Sequence, residues 1–220
     1  MNILLTGGAG YIGSTTANLF LDKGHKVTII DDLSRGNKKN IPKMAKFYKF
    51  NINNKKNLVK LLKVEKFDLL VHFAASIDVE ESVRKPKKYI TNNYLNTKKL
   101  IKACLDNNLN KIIFSSTAAV YGNSKTGEVG ENSIKKPLSP YAISKLKSEK
   151  FIKSKKKINY IILRYFNVAG SDLRLRSGLI SKKKSTHLIK KICENFLKNE
   201  SIEIYGNNYP TKDGTPIRDY

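Results

Sequence analysis

The 220-residue sequence is poor in cysteine, in acidic side chains and in long apolar runs. Its two cysteines, Cys104 and Cys193, are too few and too far apart for a disulfide framework or a zinc site. Both fall in apolar helical patterns, where buried thiols are expected. No apolar stretch is long enough to span a bilayer, so no membrane partner is expected. Met1-Asn2 leads straight into an apolar strand, and no signal peptide is expected. The expectation is a soluble cytoplasmic protein. No internal repeat is found. Only 18 acids face 42 Lys and Arg, a formal net charge of +24. The excess is mostly lysine and is scattered among many Asn and Ile. It includes no arginine-rich arm and no recognised nucleic-acid module. Lys55-Lys56, Lys155 to Lys157 and Lys182 to Lys184 fall near helix ends and loops, as solvated faces do. Bulk charge licenses only non-specific attraction, so no specific nucleic-acid partner is expected.

What is present begins with glycine. GGAGYIG, from Gly7 to Gly13, follows the apolar run Ile3-Leu4-Leu5. The pattern fits G-x-G-x-x-G from Gly8 and G-x-x-G-x-x-G from Gly7, with Gly10 between. Tyr11 onward reads as a helix ended by Gly24. Strand, glycine turn and helix form a cradle for a dinucleotide pyrophosphate: backbone approaches phosphate closely and helix N–H groups face the anion. A structural strand-to-helix turn is the other reading. A second strand, Lys26 to Ile30, ends in Asp31-Asp32, where an acid binds the adenosine ribose hydroxyls. An acid there repels a 2′-phosphate and favours NAD over NADP, although Arg35 stands close enough to accommodate that phosphate.

Strands alternate with helices along the chain. Candidate strands are 2–6, 26–30, 46–50, 68–73, 111–116 and 160–164; helical patterns cover 11–23, 55–64, 87–107, 139–154 and 186–199. Apolar strands such as Leu69 to Phe73 read as buried on both faces, the mark of a parallel sheet between helix layers. The expected fold is α/β, a doubly wound parallel-sheet Rossmann domain over 1–165, with an incomplete substrate-binding region over 166–220. Gly170 to Ser185 reads as a loop. The segment after Tyr165 is short for a whole substrate lobe, so a C-terminally truncated protein is expected.

SPYAISK, from Ser139 to Lys145, sets Tyr141 and Lys145 on one helix face. A phenol with a pKa of about 10 needs roughly 4 kcal/mol to reach neutrality. An ammonium about 4 Å away supplies about that much at an effective dielectric near 20. Tyr141 is therefore the candidate base, with Lys145 lowering its pKa. A buried tyrosine beside a snorkelling lysine is the alternative. Thr117, after the strand 111–116, is the candidate to orient or relay the proton, or else caps a turn.

These motifs together resemble the extended short-chain dehydrogenase/reductase superfamily and, within it, the UDP-glucose 4-epimerase (UDP-galactose 4-epimerase) family. The carriers are MNILLTGGAGYIGS, DDLSRGN, VHFAA followed by ESV and KP, Asn92-Asn93, FSSTAAVYG, SPYAISKLKSE, LRYFN and YGNNYPTKDGTPIRDY. The resemblance implies NAD-dependent epimerisation at C4′ of a UDP-hexose through a transient 4-keto sugar, and a homodimer at full length. It implies cofactor contacts from Gly7, Gly10, Tyr11, Ile12 and Gly13, and from Asp31, Asp32, Leu33, Ser34, Arg35 and Gly36. Others come from Asn51, Ile52, Phe73, Ala74, Ala75, Ser76, Ile77, Asn92, Thr117, Tyr141, Lys145 and Phe166. Substrate contacts fall to Thr117, Tyr141, Asn167, His187, Glu203, Ile204, Tyr205 and Arg218. A surface ion pair of Arg218 with Asp213 or Asp219 is the plainer alternative. Related dehydratases carry Asp-Glu after the active-site Ser/Thr; here Ala118-Ala119 follow Thr117. Asn51 stands where an Asp commonly contacts adenine, Ile77 where a Lys is often seen, and His187 where some members have Asn. Another nucleotide-sugar oxidoreductase of the superfamily and an inactive NAD-binding remnant are the competing readings.

Overall fold

The computed structural model describes residues 1–124, 127–180, 187–204 and 206–217. Six parallel strands build its sheet: β1 (Asn2–Thr6), β2 (Lys26–Asp31), β3 (Lys46–Lys49), β4 (Leu69–His72), β5 (Lys111–Thr117) and β6 (Asn159–Tyr165). Their spatial order is β3-β2-β1-β4-β5-β6. The direction of winding reverses between β1 and β4, which pair from Ile3 with Leu69 to Thr6 with His72. That is the switch point at which doubly wound sheets bind ligands. The α/β reading holds.

Helices cover both faces because successive strand residues point to opposite sides. Leu4, Ile30, Leu70, Ile112 and Phe114 pack with Leu58, Leu61, Leu62, Leu100, Ile101 and Ile152 on one face. Those partners come from α2 (Lys55–Val64), α5 (Asn96–Asp106) and α6 (Pro140–Lys153). Ile3, Leu5, Val27, Ile29 and Val71 pack with Ala17 on the other, which belongs to α1 (Tyr11–Asp22). Lys55, Lys56, Lys60 and Lys63 occupy the exposed side of α2, a solvated face over a buried leucine stripe. Lys182 to Lys184 lie outside the described residues.

Three elements differ from expectation. The helix expected over 87–107 is split into α4 (Pro86–Tyr89), a π-helical turn (Ile90–Leu95) and α5. The wider turn re-aims side chains, as such insertions commonly do near functional sites. A short helix, α3 (Val79–Arg84), went unread; Asp78 caps it by accepting from the Glu81 amide at 2.8 Å. The last described helix, α7 (Leu188–Lys198), has no buried residue. Cys193 is exposed, against expectation. Cys104 is buried, and burial pushes its thiol up to about 12. Among the described residues no helix is long and apolar enough to cross a membrane.

The segment after β6 folds back onto α1. The Tyr11 hydroxyl donates to the Gly170 carbonyl at 2.7 Å. Arg176 pairs with Asp22 and Asp172, and the Ser177 hydroxyl meets Thr15 and Asn18. This is the loop expected from Gly170 on, held by ion pairs and hydrogen bonds.

At the far edge, Glu149 of α6 is 1% exposed and bridges β5 and β6. It accepts from the Ser116 hydroxyl and takes a two-pronged pair from Arg164, at 3.0 and 2.8 Å. Removing one partner strands a buried charge. Glu149→Ala is expected to cost about 3–5 kcal/mol of stability, read as a lower urea midpoint; an unchanged midpoint would contradict this account.

Candidate active site

The residues singled out in the sequence converge because all six strands run the same way. Gly7 follows β1, Asp31 closes β2, Asn51 follows β3, Phe73 follows β4, Thr117 closes β5 and Phe166 follows β6. All therefore lie at the C-terminal edge of the sheet.

The glycine turn follows the G-x-x-G-x-x-G pattern. Gly7 has φ +78°, and a Cβ there would lie 2.6 Å from the Ala74 amide nitrogen. A Cβ on Gly13 would lie 2.3 Å from the Gly7 carbonyl oxygen. Gly10 is the N-cap of α1 and donates to the Gly7 carbonyl at 3.1 Å. No side chain caps α1 and its first turn holds no acid. The first amides, at Tyr11, Ile12 and Gly13, form a bare positive helix end suited to an anion.

Asp31 accepts from the amides of Ala9, 3.1 Å, and Leu33, 2.8 Å. It thus ties the glycine turn to the loop from Asp31 to Gly36. Asp32 accepts from the Ser34 amide and the Asn51 side-chain amide. Burial raises its pKa, but the bonds from Ser34 and Asn51 outweigh burial and hold it below the ordinary value. Arg35 donates to Glu81 at 2.9 Å, so the cation that raised the prospect of a 2′-phosphate is paired. Ile52 is buried in the core beside Leu58, whereas Ile77 and Phe166 are about half exposed, at 54% and 50%.

Ser139 caps α6 by accepting from the Ala142 amide, and Pro140 fills the first helical position. Both choices suit a helix start and put Tyr141 in the first turn. Asn93, 1% exposed, locks this helix in place. Its side chain accepts from the Ser76 amide at 2.8 Å and donates to the Ser76 carbonyl and the Ser144 hydroxyl. Ser148 donates to its backbone carbonyl. The π-helical turn aims Asn92 at the Ser76 hydroxyl, 3.0 Å away. Sequence reading passed over Asn93, although it stands beside Asn92 in the quoted pair.

Tyr141, in the first turn of α6, and Thr117, at the end of β5, are neighbours. Burial raises the Tyr141 pKa, and the neighbouring Thr117 side chain lowers it in part. This corrects the expectation that Lys145 brings the phenol toward neutrality. Lys145 is 3% exposed and spends its ammonium on the Ser115 carbonyl at 2.7 Å, over the Phe114 ring. Burial lowers its own pKa to about 7, against a partial rise from Glu149. Thr117 accepts from the Ala119 amide at 3.2 Å, so it caps a turn beside the tyrosine. Beneath lies His72, buried between Thr6 at 2.6 Å and Thr97 at 2.8 Å. Burial, then the nearby Lys145 charge, lowers its pKa to about 3, so the imidazole is neutral.

Asn167, His187, Glu203 and Ile204 lie on exposed positions after β6 and around α7. Tyr205 and Arg218 lie outside the described residues.

The Lys145 shift has a signed consequence. Its pKa is about 7 folded against 10.5 ordinarily. Between those values the unfolded chain binds more protons, so stability rises with pH. Lys145→Met lacks this charge. It is expected to be more stable than the parent at pH 6, with the gap narrowing from pH 7 to 9 in urea titrations. A constant gap would contradict the buried-cation account.

With this geometry in view, the matches to known proteins are specific. The family described as "NAD dependent epimerase/dehydratase family" matches residues 3–220. A UDP-glucose 4-epimerase of Azospirillum brasilense is 40% identical over 99% of this chain, which spans 64% of that protein's length. Two crystal structures superpose closely. One is UDP-glucose 4-epimerase from Stenotrophomonas maltophila with bound NAD and formylated UDP-arabinopyranose, TM-score 0.93, 30% identical, covering 100% of this chain and 69% of that one. The other is the enzyme from Bifidobacterium longum with NAD+ and UDP, TM-score 0.92, 30% identical, covering 100% and 70%. The cradle, the tyrosine-bearing helix and a match along nearly the whole chain agree: this chain belongs to the NAD dependent epimerase/dehydratase family.

Proposed function

We propose that this chain carries the cofactor-binding and catalytic part of an enzyme that interconverts UDP-glucose and UDP-galactose by inverting C4′. The observation that carries the reading is the placement of Tyr141, in the first turn of α6, beside Thr117 at the end of β5, on the edge where the glycine cradle opens. The relatives named above support it through what they are called and what they hold.

NAD fits the residues present. Gly7 and Gly13 let the turn close tightly on backbone that a Cβ would strike, the uncapped α1 N-terminus suits an anion, and Asp31-Asp32 stand at the β2 end with Arg35 paired. Gly7, Gly10 to Gly13, the loop from Asp31 to Gly36, Asn51, Phe73 to Ser76, Asn92 and Lys145 would hold it. When bound, NAD supplies the hydride acceptor and donor of the reaction and a positive ring near the phenol. Tyr141 Oη takes the proton from the sugar 4′-hydroxyl and later returns it, with Thr117 Oγ1 orienting that hydroxyl. Between the two transfers the sugar is a 4-keto species that must present its other face. The UDP end must therefore be gripped and the sugar held loosely. We assign the grip to Asn167, His187, Glu203 to Tyr205 and Arg218, in a substrate region over 166–220 apart from the cofactor half over 1–165. Ala118-Ala119 offer no proton donor or acceptor, which argues against elimination of water. The same reading carries a cytoplasmic setting, in keeping with two unpaired cysteines, and a homodimer at the relatives' length.

Cofactor and base are tested separately. Purified protein is expected to release NAD on denaturation, with Asp31→Ala weakening retention because the acid orders both the turn and the ribose loop. Only NADP, or no dinucleotide in a folded sample, by mass spectrometry would overturn the cofactor assignment. Tyr141→Phe is expected to lower epimerisation of UDP-galactose by roughly 10² to 10⁴. Turnover equal to that of the parent would overturn the role of the phenol.

A further inference from the structure

Glu81 joins parts of the chain that the proposed mechanism uses separately. It lies on α3, within the ESV string. Its carboxylate accepts three hydrogen bonds: from Arg35 at 2.9 Å, from Lys88 at 2.7 Å and from the Tyr89 hydroxyl at 2.9 Å. The bonds from Lys88 and Tyr89 hold its pKa down at about 2, so it is charged throughout the physiological range. Tyr89 is fully buried, and its ring stands edge-on to that of Tyr141, with centroids 6.4 Å apart and planes at 89°. Arg35 belongs to the loop from Asp31 to Gly36 and is its one cation.

An arginine just beyond the β2 acid is the side chain that accommodates a 2′-phosphate in dinucleotide sites. Here that guanidinium is turned to a carboxylate on another element. Swinging it to a phosphate would leave Glu81 with two donors in place of three and set its charge nearer the incoming anion. Glu81 is the better placed partner, since its side chain is 18% exposed and already fixed by Tyr89, whereas Arg35 is 44% exposed.

We propose that Glu81 is a specificity-determining residue for the dinucleotide: by holding Arg35 it withdraws the cation that NADP would need and leaves Asp31-Asp32 as the charge at the ribose. This rests on the NAD reading above. The contact to Tyr89 dictates the choice of variant. Glu81→Gln keeps an acceptor for the buried hydroxyl and removes the charge that holds Arg35. Glu81→Ala would remove the acceptor together with the charge and would disturb Tyr89, which stands against the Tyr141 ring.

The test is competitive exchange of NAD and NADP, at one ionic strength, on the parent chain, Glu81→Gln, Arg35→Ala and the double variant, read by mass spectrometry of the dinucleotide released on denaturation. The parent is expected to prefer NAD. Glu81→Gln is expected to tighten NADP by up to about fivefold, the upper range for one exposed charge pair, with NAD nearly unchanged. Adding Arg35→Ala is expected to erase that gain. An unchanged NADP-to-NAD ratio in Glu81→Gln overturns the proposal, and so does a gain that survives Arg35→Ala. Should Glu81→Gln fail to fold, Arg35→Ala alone decides: a paired guanidinium predicts no loss of NADP affinity, and a severalfold loss overturns the proposal. A folded parent that binds neither dinucleotide fails the NAD reading and this one with it; a parent that binds NAD with an unmoved ratio fails this one alone.

Discussion

Where β1 and β4 end side by side, their following turns touch, and they touch because residue 7 has no side chain. A Cβ there would sit 2.6 Å from the Ala74 amide nitrogen and 2.9 Å from the Phe73 carbonyl carbon. Both contacts are with backbone, so no rotamer change could relieve them. From this contact the other features follow. The turn is tight enough for Gly13 to pack its α-carbon against the Gly7 carbonyl, which sets the direction of α1. The Phe73–Ser76 turn is fixed from the other side by Asn93, which in turn grips Ser144 and Ser148 on α6. A chain of short polar contacts thus runs from the cradle to the helix that carries Tyr141 and Lys145.

Burial governs the electrostatics of that helix more than pairing does. Lys145, His72 and Tyr141 all shift toward their neutral forms for the same reason: charge is costly away from water. The protein's own groups oppose this only in part. Glu149 raises Lys145 somewhat, yet its carboxylate is committed to Arg164. The Thr117 side chain favours the Tyr141 phenolate only in part. A site in this condition responds strongly to any charge placed in it, because a low dielectric magnifies each interaction. The lysine ammonium, read from spacing as the source of the phenol's acidity, is spent on the Ser115 carbonyl. Spacing places two side chains on one face; it does not say which acceptor a flexible lysine selects.

Much of the fold was legible because it rests on local rules. Strand positions came from apolar runs, α1 from its glycines, and α6 from the helical pattern over 139–154. The convergence of Gly7, Asp31, Asn51, Phe73 and Thr117 followed from parallel strands alone. What escaped depends on tertiary contacts. The π-helical turn leaves no composition mark in ITNNYL, yet it aims Asn92 and Asn93 at Ser76. Six residues of α3 are too few for a periodic signal, so Glu81 stayed unread inside a string that was in plain view. Cys193 was expected to be buried because α7 is amphipathic. Amphipathicity marks an apolar face, but only neighbouring chain decides whether that face is covered.

The departure at position 51 shows how neighbouring site residues constrain one another. Asn51 donates its side-chain amide to Asp32 and accepts from the Asn53 amide. An aspartate at 51 in the same pose would bring a second carboxylate against Asp32, and two carboxylates at hydrogen-bond distance cannot both be ionised without a large cost. The amide instead helps hold Asp32 ionised, in concert with Ser34. The negative charge at the ribose edge is therefore concentrated on the β2 end and stabilised from the β3 end. The loss of a charge at 51 does not weaken the acid signal that separates NAD from NADP. It puts a neutral donor where a second anion would repel Asp32.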